Sequence, residues 1–449
     1  MNQRPRPTHD DSGSMHGTLI AIALLMIALL LAPKADAQPR PNRPNPEPAA
    51  QQTPDVPDWV VPGARITQFG AVAQHTKRNR TRDSRWREED EEARQRDIDS
   101  GMPMDEVERR AREREEQRAS DRRLYNSGTG GYSFTQYDII AVTPVGVLIQ
   151  SRLYLIPPLG GDPQLSGNIT TSLVDHATGG GLWMRPADIE AAQPDRGENG
   201  GPTVFKANYA IGEHSFDAIF LVNKGGEYTR RQVYDCATGI QLYQSELTDT
   251  ADIRSHAYSE LSLYRVAQLP WHGSRYTQQI VNLTKLTYDS AIVHVAEQLP
   301  PDLQADVGRI PDVRMDVDME ITFQVTDPEV IGAIIELDID MPTGPNQTTE
   351  TRKLLSPNER LGLYIAPDIL SQLESGQVLD EDPAIGYRIV VTDVYQVEGV
   401  TLVEISEIGK NNCYTSVCTY DASVGLLVAG VQEVPALGQR YESSIRSVE

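Results

Sequence analysis

Short runs of β-branched and aromatic residues, separated by turn residues at regular intervals, make up most of the chain after residue 123. This pattern is typical of antiparallel β structure. Helix starts are few. The two clearest are Pro186 and Pro367, where proline in the first turn is followed by an acidic residue that favours the helix dipole. The runs that best fit strands are 137–142, 145–156, 218–222, 230–234, 387–394 and 400–405.

A highly charged segment precedes these strands. Residues 75–123 contain 15 basic and 15 acidic side chains among 49 residues, and few apolar ones. Strong helix formers and Glu/Arg pairs three or four residues apart fill 83–99 and 104–123, and residues 100–103 break the pattern. We therefore predict a charged helical hairpin over 83–123. The pattern leaves open whether this arm is only solvated or binds a partner.

Five short matches occur in the same order in the two halves of the chain, which indicates an internal duplication. Matched positions are 210 residues apart in the first pair and 178 to 186 residues apart in the others. The difference of 32 residues falls where the charged arm lies. We predict two tandem copies of a β barrel or half-barrel domain, 59–250 and 269–437, each with one short helix and with the arm inserted in the first. The matches are 63–68 with 273–278, 142–144 with 325–328, 168–171 with 346–349, 181–186 with 362–367, and 234–239 with 420–425.

Four of the matched side chains are charged. Asp235 and Asp421 each follow a tyrosine and precede a glycine by four residues, which predicts a hairpin whose aspartate binds local backbone amides. Arg65 and Arg275 occupy matching positions on a predicted strand. An arginine there either pairs with a carboxylate or holds an anionic ligand, and the sequence leaves both roles open.

An acidic ladder is the most specific constellation in the chain. Acids alternate with apolar residues in 316–321 and 336–341, so a strand conformation places six carboxylates on one face. Pairing as a hairpin makes like charges face one another, which is destabilising, so something should offset the repulsion. We predict calcium; the alternatives are a solvated face, or lysines and arginines of a neighbouring element. The predicted facing pairs are Asp316 with Asp340, Asp318 with Asp338, and Glu320 with Glu336.

The chain has three cysteines. Cys413 and Cys418 enclose a short segment that an oxidising compartment would close with a disulfide, and Cys236 has no such partner. A lone Cys-x4-Cys without a neighbouring histidine does not favour zinc. We therefore predict a disulfide between Cys413 and Cys418, with two free thiols as the alternative, and no cofactor other than calcium.

The N-terminal region predicts export. Residues 17–32 form an uncharged run that is short for a membrane-spanning helix, and Ala35-Asp36-Ala37 is typical of a signal-peptidase site. We predict a signal peptide, 1–37, followed by a proline-rich linker, 38–58. The expected location is periplasmic or extracellular. The alternative is a membrane anchor formed by 17–32.

The net charge and the motifs that do not occur narrow the classes of function that the sequence favours. The chain has 64 acidic and 41 basic residues, a net charge of −23, which disfavours nucleic acid as a partner. No nucleophile-elbow, metalloprotease or phosphate-binding motif occurs, so we assign no catalytic residue and no enzyme class. We predict an exported, non-enzymatic interaction or structural protein whose partner is a protein or another envelope component. The alternative is a carrier that encloses an apolar ligand or lipid.

Overall fold

The computed structural model describes most of the chain between Val56 and Glu449. The predicted signal peptide, its alternative as a membrane anchor, and nearly all of the predicted linker lie outside the described residues. Within the part that is described, no helix is long and apolar enough to cross a membrane. The described ranges are 56–76, 90–98, 100, 102–104, 106–112, 129–157, 160–195, 202–250, 253–294, 313–326, 329–341, 345–435 and 438–449.

Nine antiparallel strands form the first sheet in the described part of the chain. They are β1 (Ala64–Thr76), β2 (Thr129–Thr143), β3 (Gly146–Ile156), β4 (Gln164–Val174), β5 (Thr203–Ile211), β6 (His214–Gly225), β7 (Tyr228–Asp235), β8 (Gln241–Asp249) and β9 (Ile253–Val266). Their spatial order is β4-β3-β2-β1-β9-β8-β7-β6-β5. The first and last strands of the sheet therefore pair with each other in its interior.

Ten antiparallel strands form the second sheet in the same described ranges. They are β10 (Lys285–His294), β11 (Val313–Thr326), β12 (Ile331–Ile339), β13 (Gln347–Leu355), β14 (Val378–Asp382), β15 (Tyr387–Val397), β16 (Val400–Ile408), β17 (Thr415–Asp421), β18 (Leu427–Val434) and β19 (Gln439–Val448). Their order is β13-β12-β11-β10-β19-β18-β17-β16-β15-β14. Strands β9 and β19 each complete a sheet, so the sheets continue to residues 266 and 448.

The two sheets repeat one plan, which confirms the predicted pair of tandem β domains. In both sheets the first strand pairs with the second and with the last. The pairing of the first and last strands has a bulge after Thr67 in one sheet and after Thr287 in the other. The additional strand β14 of the second sheet corresponds to a single bridge, Asp195–Val204, in the first. Equivalent residues can therefore be assigned from register.

The matched turns have the same backbone hydrogen bonds. Gly239 N donates to Asp235 O and Gly425 N donates to Asp421 O, each at 2.8 Å. Each aspartate carboxylate also accepts a hydrogen bond from a backbone amide two or three residues further on. Isolated bridges link the same positions in both copies, Trp183 with Ile240 and Tyr364 with Leu426.

Arg65 and Arg275 are not equivalent in the fold. Arg65 is buried in β1 opposite Asp138. Arg275 lies before the helix Gln278–Val281, is 70% exposed and pairs with Glu329. The aligned bulges match Arg65 to Lys285 instead. The matching hexapeptides therefore mark a strand in one copy and a loop in the other.

The helices are short. Pro186–Ala191 and Pro367–Leu370 begin at the two prolines that predicted helix starts. The described parts of the charged segment are helical over 90–98 and 104–112, with residue 105 outside the description. Arg110 lies 3.6 Å from Asp97 across the two helices, as in a hairpin between β1 and β2. Single turns occur at Gly179–Gly181 and Lys410–Asn412.

The predicted disulfide is absent, and all three cysteines are free. The segment between Cys413 and Cys418 is not a closed loop, because β17 begins at Thr415. A strand rises about 3.3 Å per residue, which carries Cys418 beyond the roughly 7 Å Cα separation that a disulfide allows. The Cys413 thiol instead donates to Pro163 O at 3.3 Å, and Cys418 is buried in the strand.

The first sheet curls into a half-barrel. Tyr209 of β5 donates a hydrogen bond to Glu260 of β9 at 3.1 Å, although three strands lie between them in the sheet. Neighbouring strands are about 4.8 Å apart, so a flat sheet would separate these residues by roughly 19 Å. Among the described residues the edge strands β4 and β5 do not pair with each other, so the barrel stays open.

The second sheet packs against the first through its apolar face. Ile389, Val391 and Ile405 of that face are fully buried in a cluster with Tyr154 and Leu165 of the first sheet. A separate core around Trp183 covers the other face of the first sheet. This stacking leaves the opposite face of the second sheet uncovered by the first.

Candidate functional site

The first sheet curls towards the face that carries Tyr209 and Glu260, which we call its curled face. One row of residues across the strands on this face is largely aromatic. Each residue of the row lies directly opposite the next across neighbouring strands, so their side chains share one face. From β5 to β3 the row is Phe205, Phe220, Val233, Tyr243, Glu260, Phe69, Phe134 and Tyr154. Phe205 at the outer end is 40% exposed, whereas Tyr154 at the other end is buried beneath the second sheet.

The equivalent row of the second sheet is polar and acidic. Register and the aligned bulges assign its members one for one to the aromatic row. From β15 to β12 they are Asp393, Glu404, Thr419, Ala429, Ser444, Asp289, Asp318 and Asp338. The duplicated scaffold therefore carries opposite chemistry at corresponding positions of its two copies.

A cavity of about 620 Å³ lies on the acidic face of the second sheet. Its lining includes six carboxylates and one guanidinium, that of Arg314, which gives a formal charge of −5. The carboxylates belong to Asp289, Asp316, Asp318, Asp338, Asp340 and Glu442. A second cavity of about 480 Å³ lies on the same sheet, lined partly by apolar residues such as Leu402, Val417 and Val431. We call the surface around the first cavity the acidic face.

The structure brings four of the six ladder acids to this cavity. Asp318 lies opposite Asp338, and Glu320 lies opposite Glu336. Asp316 and Asp340 are linked by a backbone hydrogen bond. Glu320 and Glu336 lie outside the cavity lining, where Lys285 contacts Glu320 at 2.7 Å. Two further acids of the cavity come from other strands, Asp289 of β10 and Glu442 of β19. Their place here was not predicted because it depends on long-range strand pairing.

Two arginines bridge acids of this face. Arg446 contacts Asp289 and Asp318 at 2.9 and 2.8 Å. Arg314 contacts Asp316 and Glu442 at 2.8 and 2.6 Å. Each guanidinium therefore offsets part of the repulsion between neighbouring carboxylates. Lysines and arginines in this role were one of the predicted alternatives to calcium. Within the described ranges, no group of three or more acidic, histidine or cysteine side chains is placed to hold a metal ion.

The calcium hypothesis is tested directly by thermal unfolding. If calcium binds the ladder, millimolar calcium raises the melting temperature and excess chelator reverses the rise, because a ligand that binds only the folded state stabilises it. Asp318→Asn together with Asp338→Asn should abolish the response. Identical melting curves with calcium and with chelator would rule the site out.

A buried ionic seam joins the two sheets. Arg65 and Arg152 of the first sheet and Arg360 of the second unit are at most 2% exposed. Arg65 pairs with Asp138 and with Asp380, and Arg152 Nη1 donates to Glu407 Oε2 at 2.9 Å. The charges thus cross from one sheet to the other and hold them in one arrangement.

Tyrosine hydroxyls and an amide complete the seam. Tyr154 and Tyr414 donate to Glu407 Oε1 at 2.9 and 2.8 Å. Arg360 Nη1 donates to Gln136 Oε1 at 2.6 Å and to the hydroxyl of Tyr387. Gln136 in turn donates to Asp382 at 2.8 Å. Some seam atoms, such as Arg65 Nη2, Asp138 Oδ2 and Arg152 Nε, have no hydrogen-bond partner among the described residues. The ion pairs still join residues of both sheets, so the seam acts as a structural lock between them.

The arginines keep the seam carboxylates ionised. Burial alone would raise the pKa of Asp138, but the guanidinium groups of Arg65 and Arg360 outweigh it and hold the pKa at about 2. Burial also acts against ionised Glu407, and Arg360 and Arg152 overcome it, so its pKa is lowered. These depressed values contribute stability that is present above the unfolded pKa and is lost as pH falls through the folded pKa.

Glu359, next to the seam, behaves in the opposite way. Burial raises its pKa from 4.5 to about 7, although a hydrogen bond from Thr171 and the charge of Lys353 oppose the rise. A folded pKa above the unfolded value gives stability that is complete below pH 4.5 and is lost as pH rises towards 7. The pKa difference corresponds to about 3 kcal/mol.

Glu359→Gln is therefore expected to stabilise the protein at pH 8 by up to about 3 kcal/mol relative to the parent, because glutamine does not ionise. Near pH 4.5 the two proteins should differ little. Urea unfolding at pH 4.5, 6, 7 and 8 gives the comparison. A difference between the two proteins that does not grow over this range would contradict the assignment of a neutral Glu359.

Comparison with known proteins adds no assignment. No protein-family model matches the chain, and the search of curated proteins returned no sequence match.

Proposed function

We propose that this protein is an exported, non-enzymatic interaction protein that binds a basic partner through the acidic face of its second sheet. The observation that carries the proposal is the cavity with six carboxylates on a sheet face that the first sheet leaves uncovered. The buried seam supports this role because it fixes the second sheet on the first and keeps the acidic face turned away from it.

Charge is the feature that selects the partner. Residues 259–449 hold 29 acids and 12 bases, a net charge of −17 out of −23 for the whole chain. Such a one-sided field attracts a basic surface and accelerates its encounter, and like-charged partners are repelled. Exposed charges act over about 8 Å at physiological salt, so binding should weaken as salt rises.

The proposal predicts the effect of removing charge from the face. Asp289→Asn, Asp318→Asn and Asp338→Asn together should weaken binding of a lysine-rich peptide roughly tenfold at low salt, at about 0.2–1 kcal/mol per exposed ion pair. The matched control is Glu213→Gln, Glu227→Gln and Glu374→Gln, which removes three exposed charges elsewhere. Titration calorimetry measures both affinities. Equal weakening by the two triple variants would show a general charge effect and contradict a site on the acidic face.

The aromatic row favours a second candidate, a carrier of an apolar ligand on the curled face of the first sheet. Aromatic side chains supply large apolar contact area, and a curled sheet can enclose a ligand. Native mass spectrometry of the exported chain, purified without detergent, distinguishes the candidates. A bound mass of lipid size supports the carrier, whereas a chain free of such adducts supports the interaction protein.

A further inference from the structure

A single carboxylate interrupts the aromatic row of the first sheet. Glu260 of β9 lies opposite Phe69 of β1 on one side and opposite Tyr243 of β8 on the other. Tyr258, two residues earlier on β9, points to the same face, and the curl of the sheet brings Tyr209 of β5 over the carboxylate. Four aromatic rings therefore surround one acid.

The rings contact one another around Glu260. The ring centroids of Phe69 and Tyr258 are 6.5 Å apart in an edge-on arrangement, and those of Tyr243 and Tyr258 are 6.2 Å apart and stacked. The ring centroids of Tyr209 and Tyr243 are 5.9 Å apart. The Tyr209 hydroxyl donates a hydrogen bond to Glu260 Oε1 at 3.1 Å. All five side chains are half-buried, so solvent still reaches the carboxylate and the rings beside it.

Tyr209 holds the carboxylate as a donor. Burial and the adjacent Glu260 raise the pKa of Tyr209, so its hydroxyl stays protonated at neutral pH. Arg231 of β7 also lies on this face, opposite Ser245 in register, and its charge acts on Tyr209. Within the described ranges, no lysine or arginine forms an ion pair with Glu260.

The second copy lacks every part of this arrangement. Register assigns Ser444 to the position of Glu260, Asp289 to that of Phe69 and Ala429 to that of Tyr243. Glu442 takes the position of Tyr258, and Val397 takes that of Tyr209. An architectural role shared by the two copies therefore does not explain why an acid and four rings meet in the first.

We propose that Glu260 and the rings of Phe69, Tyr209, Tyr243 and Tyr258 form a binding site for a methylated ammonium group. The rings attract a cation through the negative potential of their faces, and the carboxylate supplies the neutralising charge. A methylated ammonium suits this cluster better than a bare ammonium, because its methyl groups pack on aromatic surface and it is less strongly hydrated. This site is separate from the acidic face and does not depend on the proposed function.

Choline and its uncharged isostere 3,3-dimethylbutan-1-ol separate charge recognition from hydrophobic binding. Calorimetric titration of the full exported chain should give choline an affinity at least about tenfold higher than the isostere. A trimethyllysine peptide, titrated in parallel, tells a free small molecule from a protein side chain as the source of the group. Equal affinities for choline and the isostere, or no binding of either trimethylammonium probe, would overturn the proposal.

Two variants locate the site. Glu260→Gln keeps the acceptor for the Tyr209 hydroxyl, so the fold should survive while choline affinity falls about tenfold. Tyr243→Leu removes one ring and should weaken choline binding several-fold. The control Glu213→Gln removes an exposed acid from the turn between β5 and β6, and it should leave affinity and melting temperature unchanged. Unchanged choline affinity in Glu260→Gln, with the melting temperature preserved, would place the binding elsewhere.

Discussion

Glu407→Gln is expected to lower the free energy of unfolding by about 3–5 kcal/mol, one of the two largest effects in the molecule. Glu407 is fully buried and accepts hydrogen bonds from Arg152, Tyr154 and Tyr414. Its neutralisation leaves the guanidinium groups of Arg152 and Arg360 without this counter-charge in a dry interior. The loss should be greatest at neutral pH, where the native carboxylate is fully ionised.

Urea unfolding at pH 7 measures this effect, with Glu381→Gln as the matched control. Glu381 is an exposed acid of β14, and its replacement should change the free energy by less than about 0.5 kcal/mol. A loss below about 1 kcal/mol in Glu407→Gln would mean that the seam does not hold the two sheets together. The same result would remove the argument that the acidic face is fixed in position.

Gly239→Ala and Gly425→Ala form the second prediction, a matched pair across the duplication. An added Cβ would lie 2.1 Å from Met184 O in one copy and 2.3 Å from Ile365 O in the other. Both positions also have positive φ, 75° and 83°. Each carbonyl belongs to a backbone segment that is hydrogen-bonded to the turn itself, so it cannot easily move away from the new Cβ. We therefore expect each substitution to lower the free energy of unfolding by about 2–4 kcal/mol.

Gly399→Ala separates strain from collision. Gly399 has φ of 85°, but nothing lies within 4 Å of an added Cβ. Its replacement by alanine should lower the free energy of unfolding by only about 1–2 kcal/mol, the cost of a left-handed backbone conformation for a residue with a Cβ. Chemical unfolding of the three variants gives the ranking. If Gly239→Ala and Gly425→Ala cost no more than Gly399→Ala, the two turns are not built around the same close backbone contact.

Local patterns predicted the acidic hairpin of the second sheet. The acids of 316–321 and 336–341 belong to two successive strands, β11 and β12, that a short loop connects. Strand alternation alone therefore places these acids on one face. The opposite case is Arg65, whose hexapeptide resembles 273–278 although the latter is a loop. The resemblance misled because short matches carry no information on pairing, whereas bulge positions do.

The sequence left open whether Arg65 pairs with a carboxylate, but the partners in the ionic seam were not predictable from it. Arg152 and Glu407 are 255 residues apart, and Arg65 and Asp380 are 315 apart. One signal was present: Glu407 continues the alternating apolar positions Val403 and Ile405, which places a charge where a strand buries its side chains. A charged residue at a buried strand position indicates that an oppositely charged partner is buried beside it, but the pattern does not identify that partner.

The disulfide prediction failed for a related reason. Sequence spacing between Cys413 and Cys418 suits a small loop, but β17 begins two residues after the first cysteine. Its residues are extended by pairing with β16 and β18. Sheet pairing therefore decided the geometry of a segment that local spacing had assigned to a turn.

Binding of a basic partner by the acidic face can be measured by site-specific crosslinking in the organism that makes the protein. A photoreactive amino acid replaces Asn346, which lines the acidic cavity, and in a separate chain it replaces Asn208, exposed on the first sheet. We expect crosslinks from position 346 to a protein with a basic surface, and these crosslinks should be lost at high salt and absent from position 208. Crosslinks of equal yield from both positions, or salt-independent crosslinks from position 346, would contradict it.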